Sequence, residues 1–199
     1  GPLGAHPCPR KDLRVNRAHL HTLATDIWRA TQPDDPAATP YAQAERAFIY
    51  GEAVSHRRAA RWISSLHRYE SFWDEHDRPP RENTRARHTL PGEERRLAEW
   101  ARYQRRFEQR LNAYQRARLE VSPAFEWDPR MVHWQRRLVA CHEHRRLTGD
   151  LPRLDSSDAA EFALARWLGR QLGRLQRGEL GPAQAAQLNA LLNPWGNRY

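Results

Sequence analysis

Two arginine-rich stretches hold the side chains in this sequence best suited to chemistry. In the first, Arg95, Arg96, Arg102, Arg105, Arg106 and Arg110 surround a stripe of Leu97, Trp100 and Phe107. In the second, Arg166, Arg170, Arg174 and Arg177 surround Leu164, Trp167 and Leu175. A guanidinium is a planar fork of donors that fits phosphate oxygens and guanine edges, and a helix has the width of the major groove. The proline-bearing loop before the first stretch adds Arg81, Arg85, Arg87 and His88, and the loop before the second adds Arg153. Arg81 and Arg153 each follow a proline, Pro80 and Pro152, so both can reach a phosphate from a fixed loop. The competing reading of the first stretch is a solvated face whose charges pair with Glu94, Glu99 and Glu108.

The whole-chain charge favours the first reading. Lys and Arg number 33 against 24 Asp and Glu, giving a formal charge of +9 and a pI near 10.5. Such a balance points to polyanions, with nucleic acid first and an anionic membrane second. Lys11 is the only lysine. A GC-rich genome explains the preference for Arg over Lys, but not the excess of positive charge. A mean hydropathy of −0.94 and the lack of a long apolar run argue against a membrane span. Cys8 and Cys141 are too few for a disulfide framework, so a reduced, cytoplasmic setting is expected, and with DNA as partner a nucleoid-associated one.

Catalytic and metal patterns are weak. Cys141-His142-Glu143-His144 with His133 looks metal-like, but adjacent ligands on a helix diverge and no second pair lies at zinc spacing. No Ser/His/Asp or Cys/His set stands out, and the carboxylates are interspersed with arginine. The expectation is a non-catalytic protein with no cofactor and no metal.

The elements that carry these arginines are written twice. Trp62, Leu66, Pro80 and Arg81 recur as Trp134, Leu138, Pro152 and Arg153, each 72 residues later. Leu97, Trp100 and Gln104 recur as Leu164, Trp167 and Gln171, each 67 residues later. Leu119 and Trp127 then pair with Leu188 and Trp195. A period of this length is a small structural unit. Apolar spacing of three and four predicts helices over 62–75, 93–110 and 112–121 in one copy, and over 133–147, 159–177 and 182–192 in the other. Strand signals are absent, so the fold is predicted all-α, with two tandem three-helix units at 62–130 and 131–199. Residues 5–61 form a helical extension, with helices over 13–30 and 41–61, the latter continuing into Trp62. Gly1-Pro2-Leu3-Gly4 reads as the remnant of a cleaved affinity tag. Trp62, Trp100, Trp127, Trp134, Trp167 and Trp195 fall at core or closing positions, whereas Trp28 and Trp73 have no counterpart and are freer. Gln104 and Gln171 fall in the apolar phase, which favours a structural amide over contact with a base.

The repeated pattern resembles the bacterial helicase-associated domain, a short module found in tandem. Trp134, Leu138, Gly149, Pro152, Leu164, Trp167, Gln171, Gly178, Leu180, Leu188, Leu191 and Trp195 carry the resemblance in the second copy. The first copy is more divergent: it keeps Trp62, Leu66, Pro80, Leu97, Trp100, Gln104, Arg105, Leu119 and Trp127, with Asp77 where the loop glycine belongs. The resemblance implies three-helix units that bind nucleic acid. No Gly-x-x-x-x-Gly-Lys-Ser/Thr loop is present, so no helicase core accompanies them. The expected partner is double-stranded DNA, with protein docking or self-association through the extension as the alternative.

Overall fold

The computed structural model describes residues 15–82 and 87–193, the side chain of Arg87 excepted. Among the described residues it is all-helical, with eight α-helices and no strand. The chain divides into two compact units, Gly1–Trp127 and Asp128–Tyr199.

In the first unit, α1 (Arg17–Thr31) starts at Asn16, whose side chain accepts from the His19 N–H at 3.1 Å. Leu20, Ala24 and Trp28, four apart, form its buried face. The second helix, α2 (Thr39–Tyr50), has proline in its first turn and ends at Gly51 with φ +72°. That glycine stops the helix expected to run on to Arg61. The next helix, α3 (Arg57–His76), is separate and buries Trp62, Ile63, Leu66 and Tyr69.

The C-cap of α3 is Asp77 at φ 51°, the one described non-glycine residue with positive φ. In the second unit the same job falls to Gly149, at φ 84° after α6 (Pro129–Thr148). Asp therefore adopts the left-handed conformation its position requires without being glycine.

The helix α4 (Gly92–Arg106) ends earlier than its sequence periodicity predicts. A 3-10 turn over Glu108–Arg110 follows. Asn112 then caps α5 (Ala113–Glu120) in a reciprocal box with Gln115, whose bonds measure 2.9 and 3.2 Å.

The first core joins Trp62, Leu66, Tyr69, Leu97, Tyr114 and Phe125 to Ala24 and Trp28 of α1 and Ala42 and Ala44 of α2. Helices that precede the first repeated tryptophan thus belong to the same core. Trp28 is buried and meets Tyr114 edge-on at 6.1 Å, a correction to its expected freedom. Trp73 is half-buried against the same core.

Within this core lies a charged cluster. Arg118, Glu45 and Glu70 are all fully buried. The Arg118 guanidinium donates through Nε to both Glu45 oxygens at 3.0 Å, and through its two terminal nitrogens to Glu70 at 2.8 and 3.0 Å. Glu45 is also bonded to His67 Nε2 at 2.7 Å and accepts from the Tyr114 hydroxyl at 2.5 Å; Ser122 donates to Glu70 at 2.7 Å. The Tyr114 hydroxyl takes its second bond from Nδ1 of His21 at 2.6 Å. Burial alone would raise the Glu45 carboxyl, but the bonds from His67, Arg118 and Tyr114 outweigh it and hold the group below its ordinary value. Helices α1, α2, α3 and α5 are tied at one buried point.

The second unit is smaller. It consists of α6, α7 (Ala159–Gln176, capped by Asp158) and α8 (Pro182–Leu192). Trp134, Leu138, Cys141, Leu164, Trp167, Leu168, Leu188 and Leu191 form its core. Trp195 lies outside the described residues.

Both units contain the same local arrangement. Trp62 Nε1 donates to Gln104 at 3.0 Å, and Trp134 Nε1 donates to Gln171 at 3.2 Å. Trp62 sits 6.1 Å from Trp100, and Trp134 sits 6.0 Å from Trp167. The glutamines are buried partners for the indole N–H, as their apolar phase suggests.

Candidate nucleic-acid interface

The outward side of α4 presents Arg95, Arg102 and Arg106, followed by Arg110 in the 3-10 turn; all four are exposed. The spacing of seven and four places Arg95, Arg102 and Arg106 on one face of α4, and Arg110 follows beyond the helix end. The neighbouring acids are mostly engaged elsewhere. Glu94 is buried; it accepts from Arg78 at 2.6 Å and from the Arg81 backbone N–H at 3.0 Å. Those bonds overcome the effect of burial and keep its carboxyl below the ordinary value. Glu108 pairs with Arg116. Glu99 shares the arginine face and is exposed. Among the described residues, none of Arg95, Arg102, Arg106 and Arg110 lies within ion-pair distance of a carboxylate.

Arg105 departs from the expectation. Its side chain is largely buried, pairs with Glu82, donates to the Glu126 carbonyl at 2.9 Å and lies 5.5 Å from the Phe125 ring centroid. It fastens the loop before α4 to the segment after α5. A Glu82 pairing and a carbonyl bond leave it little freedom to meet a ligand.

The two loop arginines share a backbone role. The Arg153 N–H donates to Glu161 at 3.0 Å, as the Arg81 N–H does to Glu94. In each unit an acid in the first turn of the second helix thereby holds the proline loop. The Arg81 side chain is exposed, with Nε 3.9 Å from Glu94, while the Arg153 side chain pairs with Asp155 at 3.0 Å. Arg85 and the side chain of Arg87 lie outside the described residues.

Arg166, Arg170 and Arg174 of α7 and its C-cap Arg177 line an open groove of about 790 Å³ together with Gly169 and Gly173. Arg166 lies 5.8 Å from the Phe162 ring centroid. Arg170 is exposed and, among the described residues, enters no ion pair. Arg177 pairs with Glu179 at 2.6 Å; Arg174 is half-buried and donates to the Glu179 carbonyl at 3.2 Å. The second face is therefore partly neutralised at its C-terminal end.

Sequence reasoning passed over the arginines of α3. Arg57, Arg61 and Arg68 are exposed and, among the described residues, form no ion pair. Their spacing of four and seven is a signal readable in the sequence. No helix of the described residues is long and apolar enough to cross a membrane. Cys141 is buried, which pushes its thiol up to about 11. His144 lies 3.4 Å from Glu161.

The chain matches no protein-family model, no curated protein and no solved structure. The resemblance to the helicase-associated family therefore rests on the motif residues named above.

Proposed function

We propose that this chain is a non-catalytic DNA-binding protein that contacts duplex phosphates through the outward arginines of α4 and α7. The pairing pattern on α4 carries the reading. Arg95, Arg102 and Arg106 project along one face of α4 and Arg110 follows in the 3-10 turn, while Glu94 is bound by Arg78 and the loop, and Glu108 by Arg116. Unneutralised arginines on a helix face are the electrostatic footprint of phosphate binding. Arg166 and Arg170 extend the footprint to the second unit. Trp62, Trp100, Trp134 and Trp167 belong to the cores or pack against them, which favours duplex over extended stacking on a single strand. The kinship with helicase-associated domains is part of this proposal and agrees with it.

The test is anisotropy with labelled duplex DNA, single-stranded DNA and duplex RNA. Replacing Arg95, Arg102 and Arg106 together by Gln is expected to weaken duplex binding at least tenfold, with helical content unchanged. Wild-type protein that ignores all three probes at low salt would sink the proposal. A second reading, protein docking through the first two helices, has one specific support: Leu23 and Ile27 on α1 and Phe48 and Tyr50 on α2 are exposed. Concentration-dependent mass in sedimentation would favour it.

A further inference from the structure

Unit one contains a cleft of about 590 Å³ bounded by the starts of α2 and α3, the end of α4 and the start of α5. That volume is in the roughly 300–1,000 Å³ range of small-molecule pockets. Its aromatic lining is Tyr41, Trp62, Tyr103 and Phe107, its cationic lining is Arg58 and Arg110, and the His56 imidazole lies among them. No carboxylate lines it. Tyr103 is 55% exposed, so a flat face is open to a ligand, and its ring lies 4.6 Å from Phe107. Arg110 already stacks on Phe107, with its guanidinium carbon 4.6 Å from the ring centroid. Arg58 stands in the first turn of α3, a turn with no acid. Cations there oppose the helix dipole, and an anion in the cleft relieves both.

We infer that this cleft binds one unstacked nucleotide, with its base against Tyr103 and Phe107 and its phosphate between Arg58 and Arg110. Aromatic walls accept any π-face, and guanidinium forks accept phosphate oxygens. The lining amides are engaged within the protein: Gln104 accepts from Trp62, Gln115 and Asn112 cap α5, and Asn112 also donates to the Ala37 carbonyl at 3.0 Å. All three amide oxygens are thus occupied, so recognition rests on stacking and charge with little discrimination among bases. The second unit carries Arg170 and Arg174 at the positions of Tyr103 and Phe107, so its groove offers phosphate contacts with Phe162 in place of the paired aromatic wall.

The nucleotide can come free or from an unpaired strand end. For a strand end the inference rests on the DNA-binding reading above; for a free nucleotide it stands alone. The experiment titrates the full chain with adenosine monophosphate, uridine monophosphate and adenosine by calorimetry. In parallel, anisotropy compares a blunt duplex with one carrying a 5′-phosphorylated single-stranded overhang. The variants are Tyr103→Ala and Arg110→Gln, both at exposed side chains, with Arg29→Gln on α1, exposed and outside both proposed sites, as a control. The expected result is binding of both monophosphates within about threefold of each other and at least tenfold weaker binding of adenosine. Both cleft variants lose at least tenfold, and the control loses nothing for mononucleotides. An overhang advantage of fivefold or more that the monophosphate competes away identifies the strand as the source; monophosphate binding without that advantage identifies the free nucleotide. Blunt-duplex binding with neither a monophosphate signal nor an overhang advantage overturns the inference and leaves the DNA reading standing. Monophosphate binding without blunt-duplex binding does the reverse. Monophosphate binding unaffected by either cleft variant also overturns it.

Discussion

Replacing Arg118 by Met should cost the first unit most of its stability. Arg118 is fully buried and makes four contacts to two equally buried carboxylates, at 2.8 to 3.0 Å. Removing one partner of a buried ion pair costs about 3–5 kcal/mol, because the remaining charge is left uncompensated. Here two carboxylates lose their shared cation, although Glu45 keeps His67 and Tyr114, and Glu70 keeps Ser122 and Arg17 at 4.0 Å. The residual partners place the loss near the upper end of that range rather than at twice it. Against a domain stability of about 5–15 kcal/mol, the variant should be marginal. Urea unfolding followed by far-ultraviolet circular dichroism reads it: one transition moves sharply to lower denaturant while a second stays in place. The triple variant Arg118→Met, Glu45→Gln, Glu70→Gln removes the uncompensated charge and should recover much of the loss. The cluster also sets an acid limit. The Glu45 carboxyl titrates below its ordinary 4.5 in the fold, so its stabilisation is complete above that pH and disappears as pH falls through the lowered value. Burial, helped by Arg118, lowers the His21 pKa from 6.5 despite Glu45, so protonation below that pH also favours unfolding. A loss below about 1 kcal/mol for Arg118→Met would refute the claim that this cluster holds α1, α2, α3 and α5 together.

Gln104→Leu and Gln171→Leu each strand a buried indole N–H, and each should cost its own unit about 1–3 kcal/mol, read by denaturant midpoints. Equal loss in both transitions from either change would contradict the assignment. Gly149→Ala should cost about 1 kcal/mol because φ is +84° there, while Asp77→Gly should be neutral or stabilising; thermal melts check both. Cys141, buried with its thiol raised to about 11, should resist a thiol reagent at pH 8 in the native state and react in urea. Peptide mass mapping reads that residue separately from Cys8, and rapid native labelling of Cys141 would count against the second core.

Much of the helical layout was legible because periodicity and caps agree. The 182–192 helix is found as expected, and the inward phase of Gln104 and Gln171 led to their role beside tryptophan. The charged cluster was less legible because Glu and Arg in helices usually face water. A signal did exist: His67 and Glu70 lie four and seven residues after Ile63, and Arg118 lies four after Tyr114, all in core phase. Arg105 carried a signal too. The 67-residue offset maps it onto Leu172, which packs against the second core, so its inward course was written in the repeat. The end of α2 is not legible from spacing, because a lone glycine in a helical pattern can be an interior residue or, as Gly51 is, a C-cap. The aromatic cleft needs Tyr41 from α2 and Arg58 from α3 beside Tyr103 from α4, a juxtaposition that spacing along the chain does not reveal.

The most direct test of the DNA-binding account is the salt dependence of duplex affinity for the wild-type chain and for the Arg95→Gln, Arg102→Gln, Arg106→Gln variant. Each phosphate contact contributes about 0.9 to the slope of log affinity against log salt. The account predicts a steep wild-type slope that falls by about 2–3 in the variant, while Arg105→Gln leaves the slope unchanged and lowers stability instead. A slope that is the same in wild type and triple variant would contradict it.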